Sequence, residues 1–111
     1  MSDLKTKHCQ ACEGFTEPMS RESAERGLGQ LDGHWGIDEA GHSIQRSFKF
    51  KNFHETMAFV NAVAWIAHVE DHHPDMAVGY NRCSVQFSTH AVGGLTENDF
   101  ICAARIDALF D

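Results

Sequence analysis

From Phe53 onward the apolar residues step by four, three, four and three, at Phe53, Met57, Val60, Ala64 and Ala67. That spacing keeps one side of a helix apolar, and Phe59, Val63 and Ile66 widen the same side. Asn52 is placed to cap the start of this helix. Pro74 requires it to end by His73, because the residue before a proline is pushed out of helical geometry. Elsewhere the period falls to two. "HWGIDEAGHSIQRSFKFKNF" reads as a hairpin with its turn near "DEAG" and with Ile44, Phe48 and Phe50 on one face of the second strand. In "RCSVQFSTH", Cys83, Val85 and Phe87 alternate with Ser84, Gln86 and Ser88, and the shorter "MAVGY" precedes it.

Two more helices are marked by their ends. Ser20 can cap "SRESAERGLGQL", with Gly27 and Gly29 stopping it. Thr96 with Asp99 three residues on is close to a capping box, and Cys102, Ile106 and Leu109 share one side of the helix that follows. The order helix, two strands, helix, two strands, helix predicts an α+β fold, a four-stranded antiparallel sheet with helices packed on one face. Ser84, Gln86 and Ser88 then lie on the other face, open to solvent or a partner. Residues 1–19 read as an irregular arm and residues 20–111 as a single domain.

The length of 111 residues fits one domain, and 42% hydrophobic residues suffice for a core. A formal net charge of −7 without a Lys/Arg cluster excludes an electrostatic footprint for nucleic acid or anionic lipid. No apolar run approaches the roughly 20 residues that span a bilayer. "MSDLKTKHCQACEG" has no apolar stretch of a secretory signal, so a cytoplasmic protein with reduced thiols is expected. Cys9 and Cys12 form a C-x-x-C, but Cys83 and Cys102 are single and far apart, which is not the paired spacing of a zinc site. Nor is there a strand-then-helix context for thioredoxin-like redox chemistry. Cys9 and Cys12 are therefore expected on an exposed arm, and Cys83 and Cys102 as small core residues.

The densest chemistry is "HVEDHHPD", residues 68–75. His68 and His72 are four apart on the predicted helix, so they share a face, one requirement of a zinc pair; His73, Asp71 or His90 can supply a third ligand. It is not an HExxH motif, because Glu70 is misplaced for one. Imidazoles also give and take protons near neutral pH. His72 and His73 point in different directions where the helix ends, and His90 closes a strand beside the glycine-rich "HAVGGL". If that strand folds back to the helix end, His72, His73 and His90 surround one pocket. Spacing alone leaves open whether they form an acid/base site or are plain surface histidines.

"HHPDMAVGYNRCSVQFSTH" resembles the signature of the pterin-4a-carbinolamine dehydratases, with His72, His73, Pro74, Tyr80, Val85, Phe87, Thr89 and His90 at matching intervals. "GHW" with Trp35, "FKFKNF" at 48–53 and "GLTENDF" at 94–100 extend the resemblance from about Ser20 to Ala108. The resemblance implies the same α+β fold. It also implies a hydro-lyase that removes water from 4a-hydroxytetrahydropterin (4a-hydroxytetrahydrobiopterin in the family's name) and gives quinonoid dihydropterin. This reaction recycles the pterin cofactor of aromatic amino acid hydroxylases. Neither metal nor other cofactor is implied. By resemblance His72 and His90 are the acid/base pair and His73 orients the substrate. Trp35 walls the pocket, and Asp99 binds there or holds a histidine. The family often has Glu where His68 stands, which removes a carboxylate from the neighbourhood of His72. A homodimer or homotetramer, with a functional link to a hydroxylase, is implied too. The alternative is a non-enzymatic pterin-binding or dimerisation module, since animal relatives also serve as cofactors of a homeodomain transcription factor.

Overall fold

The computed structural model describes residues 4–11 and 14–111. Its elements are α1 (Arg21–Leu28), β1 (Gly36–Ile37), β2 (Ile44–Lys49), α2 (Phe53–Glu70), β3 (Asp75–Val78), β4 (Arg82–Phe87) and α3 (Glu97–Asp107). Short 3₁₀ turns occur at Leu4–Thr6, His90–Val92 and Ala108–Phe110. All pairings are antiparallel, in the order β1-β2-β4-β3, so the expected α+β architecture is present.

Alternation explains the sheet. Ile44 and Phe48 of β2, and Cys83, Val85 and Phe87 of β4, are buried on the inner face. The opposite face is polar, with Ser47 and Ser84 hydroxyls 2.9 Å apart and Gln86 donating to Ser43 Oγ at 3.0 Å. Two expected caps are made: Ser20 Oγ accepts from Ser23 N–H at 3.1 Å, and Asn52 Oδ1 from Glu55 N–H at 2.9 Å.

Four sequence expectations need correcting. The buried stripe of α2 runs Thr56, Phe59, Val63, Glu70, not through Phe53 and Ala64, which are exposed. Phe59 is its anchor, with ring centroids 4.5 Å from Phe48 and 5.1 Å from Phe50. Burying such a ring contributes about 1.5–3 kcal/mol. Gly27 does not stop α1 but lies within it, and the Phe100 ring packs so close that a Cβ there would come within 2.9 Å of it. Leu109 is exposed beyond the end of α3, and α3 is buried on most sides instead, through Phe100, Ile101, Cys102, Ala103, Ala104 and Ile106.

The fourth concerns the arm. Its first described turn packs on α3 with Leu4 buried, and polar contacts hold the next residues. Cys9 N–H donates to Glu70 Oε1 at 2.7 Å, His8 Nδ1 to Glu70 Oε2 at 2.8 Å and Gln10 N–H to Asn98 Oδ1 at 3.1 Å. Arg105 donates to the Lys7 carbonyl. Cys9 is thus docked, not exposed; Cys12 lies outside the described residues. Burial alone pushes the Glu70 carboxyl up, but Cys9 N–H, His8 and Arg105 outweigh it and hold the group below its ordinary 4.5. A depressed acid stabilises docking fully above its unfolded value and loses that contribution as pH falls through the folded one. Protection of the Cys9 amide against hydrogen exchange is therefore expected to be full above 4.5 and to fall on acidification below it.

Candidate active site

The end of α2 aims the histidines. Asp71 takes a left-handed conformation (φ 52°, ψ 43°), and the N–H groups of Asp71 and His72 both return to the Ala67 carbonyl, the latter at 3.1 Å. This is a helix stop usually given to glycine, which Asp tolerates because its short polar side chain suits the region. The helix therefore ends at Glu70, and His72 is not on it. His68 and His72 do not share a helical face, so the geometric premise of a zinc pair fails. The His68 ring lies exposed beside Trp65, with centroids 5.4 Å apart.

After the left-handed residue the chain turns, so that His72 points inward and His73 outward. His72 is 7% exposed, its ring parallel to that of Phe87 with centroids 5.9 Å apart. His72 Nε2 donates to Asp99 Oδ1 at 2.6 Å. Asp99 is wholly buried, and its other oxygen accepts from the Thr89 hydroxyl at 2.9 Å and Thr96 N–H at 3.0 Å. The latter is the side-chain half of the expected capping box. With the Thr89 proton committed to Asp99, the Thr96 hydroxyl donates to Thr89 Oγ1 at 2.8 Å. An ionised carboxylate only accepts, so it fixes the His72 proton on Nε2 and leaves the Nδ1 lone pair for chemistry in the neutral ring.

The second wall comes from the loop after β4. Thr89 N–H donates to the Gly94 carbonyl at 2.7 Å, pinching off the 90–93 loop, and Gly93 closes it at φ +67°, where a Cβ would be strained. His90 opens this loop, exposed, next to buried Thr89. A cavity of about 220 Å³ results, lined by Asp71, His72, His73, Ser88, His90 and Ala91.

The three predicted histidines are thus brought together, and two other predicted residues are not. Asp99 lies behind His72 without lining the cavity, which makes it the holder of a histidine. Trp35 is 4% exposed, its ring between Phe48 and Phe87, and its indole N–H donates to Asp107 Oδ1 at 2.8 Å. It does not line the cavity either. Asp107 also receives Arg46 at 2.7 Å, which ties α3 to β2 and to the 32–35 loop. Trp35→Phe removes a donor from this half-buried carboxylate. The expected cost is about 1–3 kcal/mol of stability, read from urea melts. Ser88 and Ala91 were not singled out as site residues from the sequence; Ser88 follows β4 in the alternation that marks the outer face.

A larger cavity, about 420 Å³, lies among Lys5, Asp32, Arg46, Asp107, Phe110 and Asp111. Its cations are already paired, Arg46 with Asp107 and Lys5 with Asp111 at 3.1 Å. No imidazole lines it, whereas three line the smaller cavity.

The family model described as pterin 4 alpha carbinolamine dehydratase matches residues 17–109. The chain belongs to the pterin-4a-carbinolamine dehydratase family. A Nitrosospira multiformis protein assigned by name to these dehydratases is 58% identical over 110 residues, 99% of this chain and 95% of the relative. One from Legionella pneumophila (strain Corby) with the same assignment is 57% identical, covering 97% and 96%. Among solved structures, a transcriptional coactivator/pterin dehydratase from Brucella melitensis superposes with TM-score 0.79 at 33% identity, over 84% of this chain and 98% of that one. A pterin dehydratase-like RuBisCO assembly factor of the alpha-carboxysome gives TM-score 0.60 at 25% identity, over 68% and 87%. The dehydratase signature read from His72 to His90 is the segment that builds the cavity, and family membership makes the chain's enzyme class that of a hydro-lyase.

Proposed function

We propose that the cavity of His72, His73 and His90 dehydrates 4a-hydroxytetrahydropterin to quinonoid dihydropterin, in recycling of the pterin used by aromatic amino acid hydroxylases. One observation carries the reading: three imidazoles meet at one cavity, and one of them is fixed from behind by a buried carboxylate. Hydroxide is a poor leaving group until an acid protonates it, and the adjacent ring nitrogen must shed a proton to complete the C=N bond. The C4a–O electron pair leaves with the hydroxyl, which takes a proton from one imidazolium and departs as water. The N–H electron pair closes the double bond while a second imidazole takes that proton. The two imidazoles end one proton poorer and one richer, and exchange with solvent resets them.

His72 and His90 reach the cavity from different elements, which suits two proton transfers at different atoms. Asp99 balances positive charge on His72 while that ring carries a second proton, as the carboxylate of a catalytic triad does. His73, exposed at the rim with Pro74 behind it, orients the bicycle. A non-enzymatic module would have no need of this arrangement, and no histidine of it is missing. The test is a stopped assay of carbinolamine decay: added protein shortens its lifetime if the reading is right and leaves the spontaneous rate if it is wrong.

Self-association is part of the same proposal. β3 is an edge strand whose four residues are all exposed, including Met76 and Val78, and α2 presents Phe53, Trp65 and Val69 to solvent. Such edges and apolar faces are commonly covered by a second copy. Light scattering is expected to give a dimer or tetramer; a lone 12.4 kDa species at micromolar concentration contradicts this. No helix among the described residues is long and apolar enough to cross a membrane, and we place the activity in the cytoplasm with its pterin substrate.

A further inference from the structure

Cys9 and Cys102 are far apart in sequence, yet their sulfurs stand 3.6 Å apart and neither is in a disulfide. Cys102 is wholly buried in α3, and Cys9 is half-buried in the docked arm. Their proximity does not rest on one flexible side chain. Cys9 N–H is held by Glu70, and the next residue is clamped twice by buried Asn98, whose Oδ1 accepts from Gln10 N–H and whose Nδ2 donates to the Gln10 carbonyl at 2.8 Å. The family model begins at residue 17, so this arm lies outside it.

We propose that Cys9 and Cys102 are a modification site, a thiol pair that a hydroperoxide oxidises reversibly to a disulfide stapling the N-terminal arm to α3. A sulfur–sulfur bond is about 2.05 Å long, so the pair must close by about 1.5 Å. Cys102 cannot move far in a packed helix, so the closing movement falls to Cys9, which is half-buried and belongs to no helix or strand. The accessible sulfur reacts first. Cys9 takes one oxygen from hydrogen peroxide to become a sulfenic acid, and the first water leaves. Cys102 Sγ then attacks Cys9 Sγ, the S–O bond breaks, and hydroxide departs with the Cys102 proton as the second water. Two thiols and one peroxide thus give one disulfide and two waters. The hydrogen bond with Cys9, then burial, push the Cys102 thiol up, which keeps it from reacting alone.

The pair sits directly behind the candidate site. Cys102 is three residues after Asp99, and its thiol lies 3.8 Å from the His72 carbonyl, to which it donates. A disulfide here closes a loop of most of the chain, and long loops give the largest stabilisation in the chain-entropy account.

The full-length protein, reduced and then treated with hydrogen peroxide, should become lighter by two hydrogens and yield one cross-linked peptide pair carrying Cys9 and Cys102. Its melting midpoint should rise by roughly 5 °C or more, and dithiothreitol should reverse both changes. Cys12→Ser should keep the cross-link, whereas Cys9→Ser should abolish it with turnover within about twofold of wild type, since Cys9 does not line the cavity. Because Cys102→Ser puts a hydroxyl into the packed core, Cys9→Ser carries the test. A Cys9–Cys12 link, or oxidation of Cys9 with no link to Cys102, overturns the proposal.

Discussion

His72→Ala is expected to lower kcat for carbinolamine dehydration by roughly 10²- to 10⁴-fold, the usual reach of one acid/base group. The substitution removes the imidazole whose Nε2–H meets Asp99 at 2.6 Å, and with it the Nδ1 lone pair. It also strips a donor from a buried carboxylate, at about 1–3 kcal/mol of stability, so circular dichroism must show that the variant folds. His90→Ala should fall in the same range of kcat without the stability loss, because His90 is exposed and has no buried partner among the described residues. His73→Ala should act mainly on KM, if its role is to orient the bicycle. His42→Ala and His54→Ala, exposed and outside the cavity, are the controls and should be nearly silent. A kcat for His72→Ala within threefold or so of wild type would remove His72 from the chemistry.

Asp99→Asn is expected to be nearly as damaging although it barely changes shape. The Asp99 oxygen facing Thr89 and Thr96 N–H must remain an acceptor, so an amide there keeps its oxygen on that side. Its NH₂ then faces His72 Nε2, which can only accept from it. The imidazole proton moves to Nδ1, and the ring presents a donor to the cavity where it had presented a lone pair. A tautomer reversed in this way costs about 10⁴-fold in a serine-protease triad, and a loss of roughly 10²- to 10⁴-fold in kcat is expected here. Nitrogen chemical shifts of His72 distinguish this cause from mere loosening: they should report protonation at Nε2 in wild type and at Nδ1 in the variant. A folded Asp99→Asn enzyme with wild-type kcat would reduce Asp99 to a helix cap.

The features legible in the sequence were those set by a few neighbouring residues. Ser20 and Asn52 cap their helices because the donor lies three residues on. β4 alternates because its two faces meet different media, and Pro74 set a limit, His73, that α2 does not pass. What was hidden depends on backbone turns or on partners far along the chain. A left-handed Asp71 ends the helix before His72, so a spacing of four that is helical on paper places the two imidazoles in different surroundings. Asp99 could be read as a cap or as a histidine's partner; only its burial against Thr89 and His72 joins the two roles. Polar contacts to Glu70 and Asn98 dock the arm, and nothing in a hydrophobic pattern marks such contacts. Trp35 gave a resemblance without a location, since Asp107, its partner, lies in the last helix.

The most direct measurement is the dehydration of chemically generated 4a-hydroxytetrahydropterin followed side by side with wild type and with the folded His72→Ala/His90→Ala double variant. The predicted result is rapid decay of the carbinolamine with wild type and decay near the spontaneous rate with the variant. Turnover by the double variant close to that of wild type, or no acceleration by wild type itself, would contradict the assignment of the reaction to these histidines.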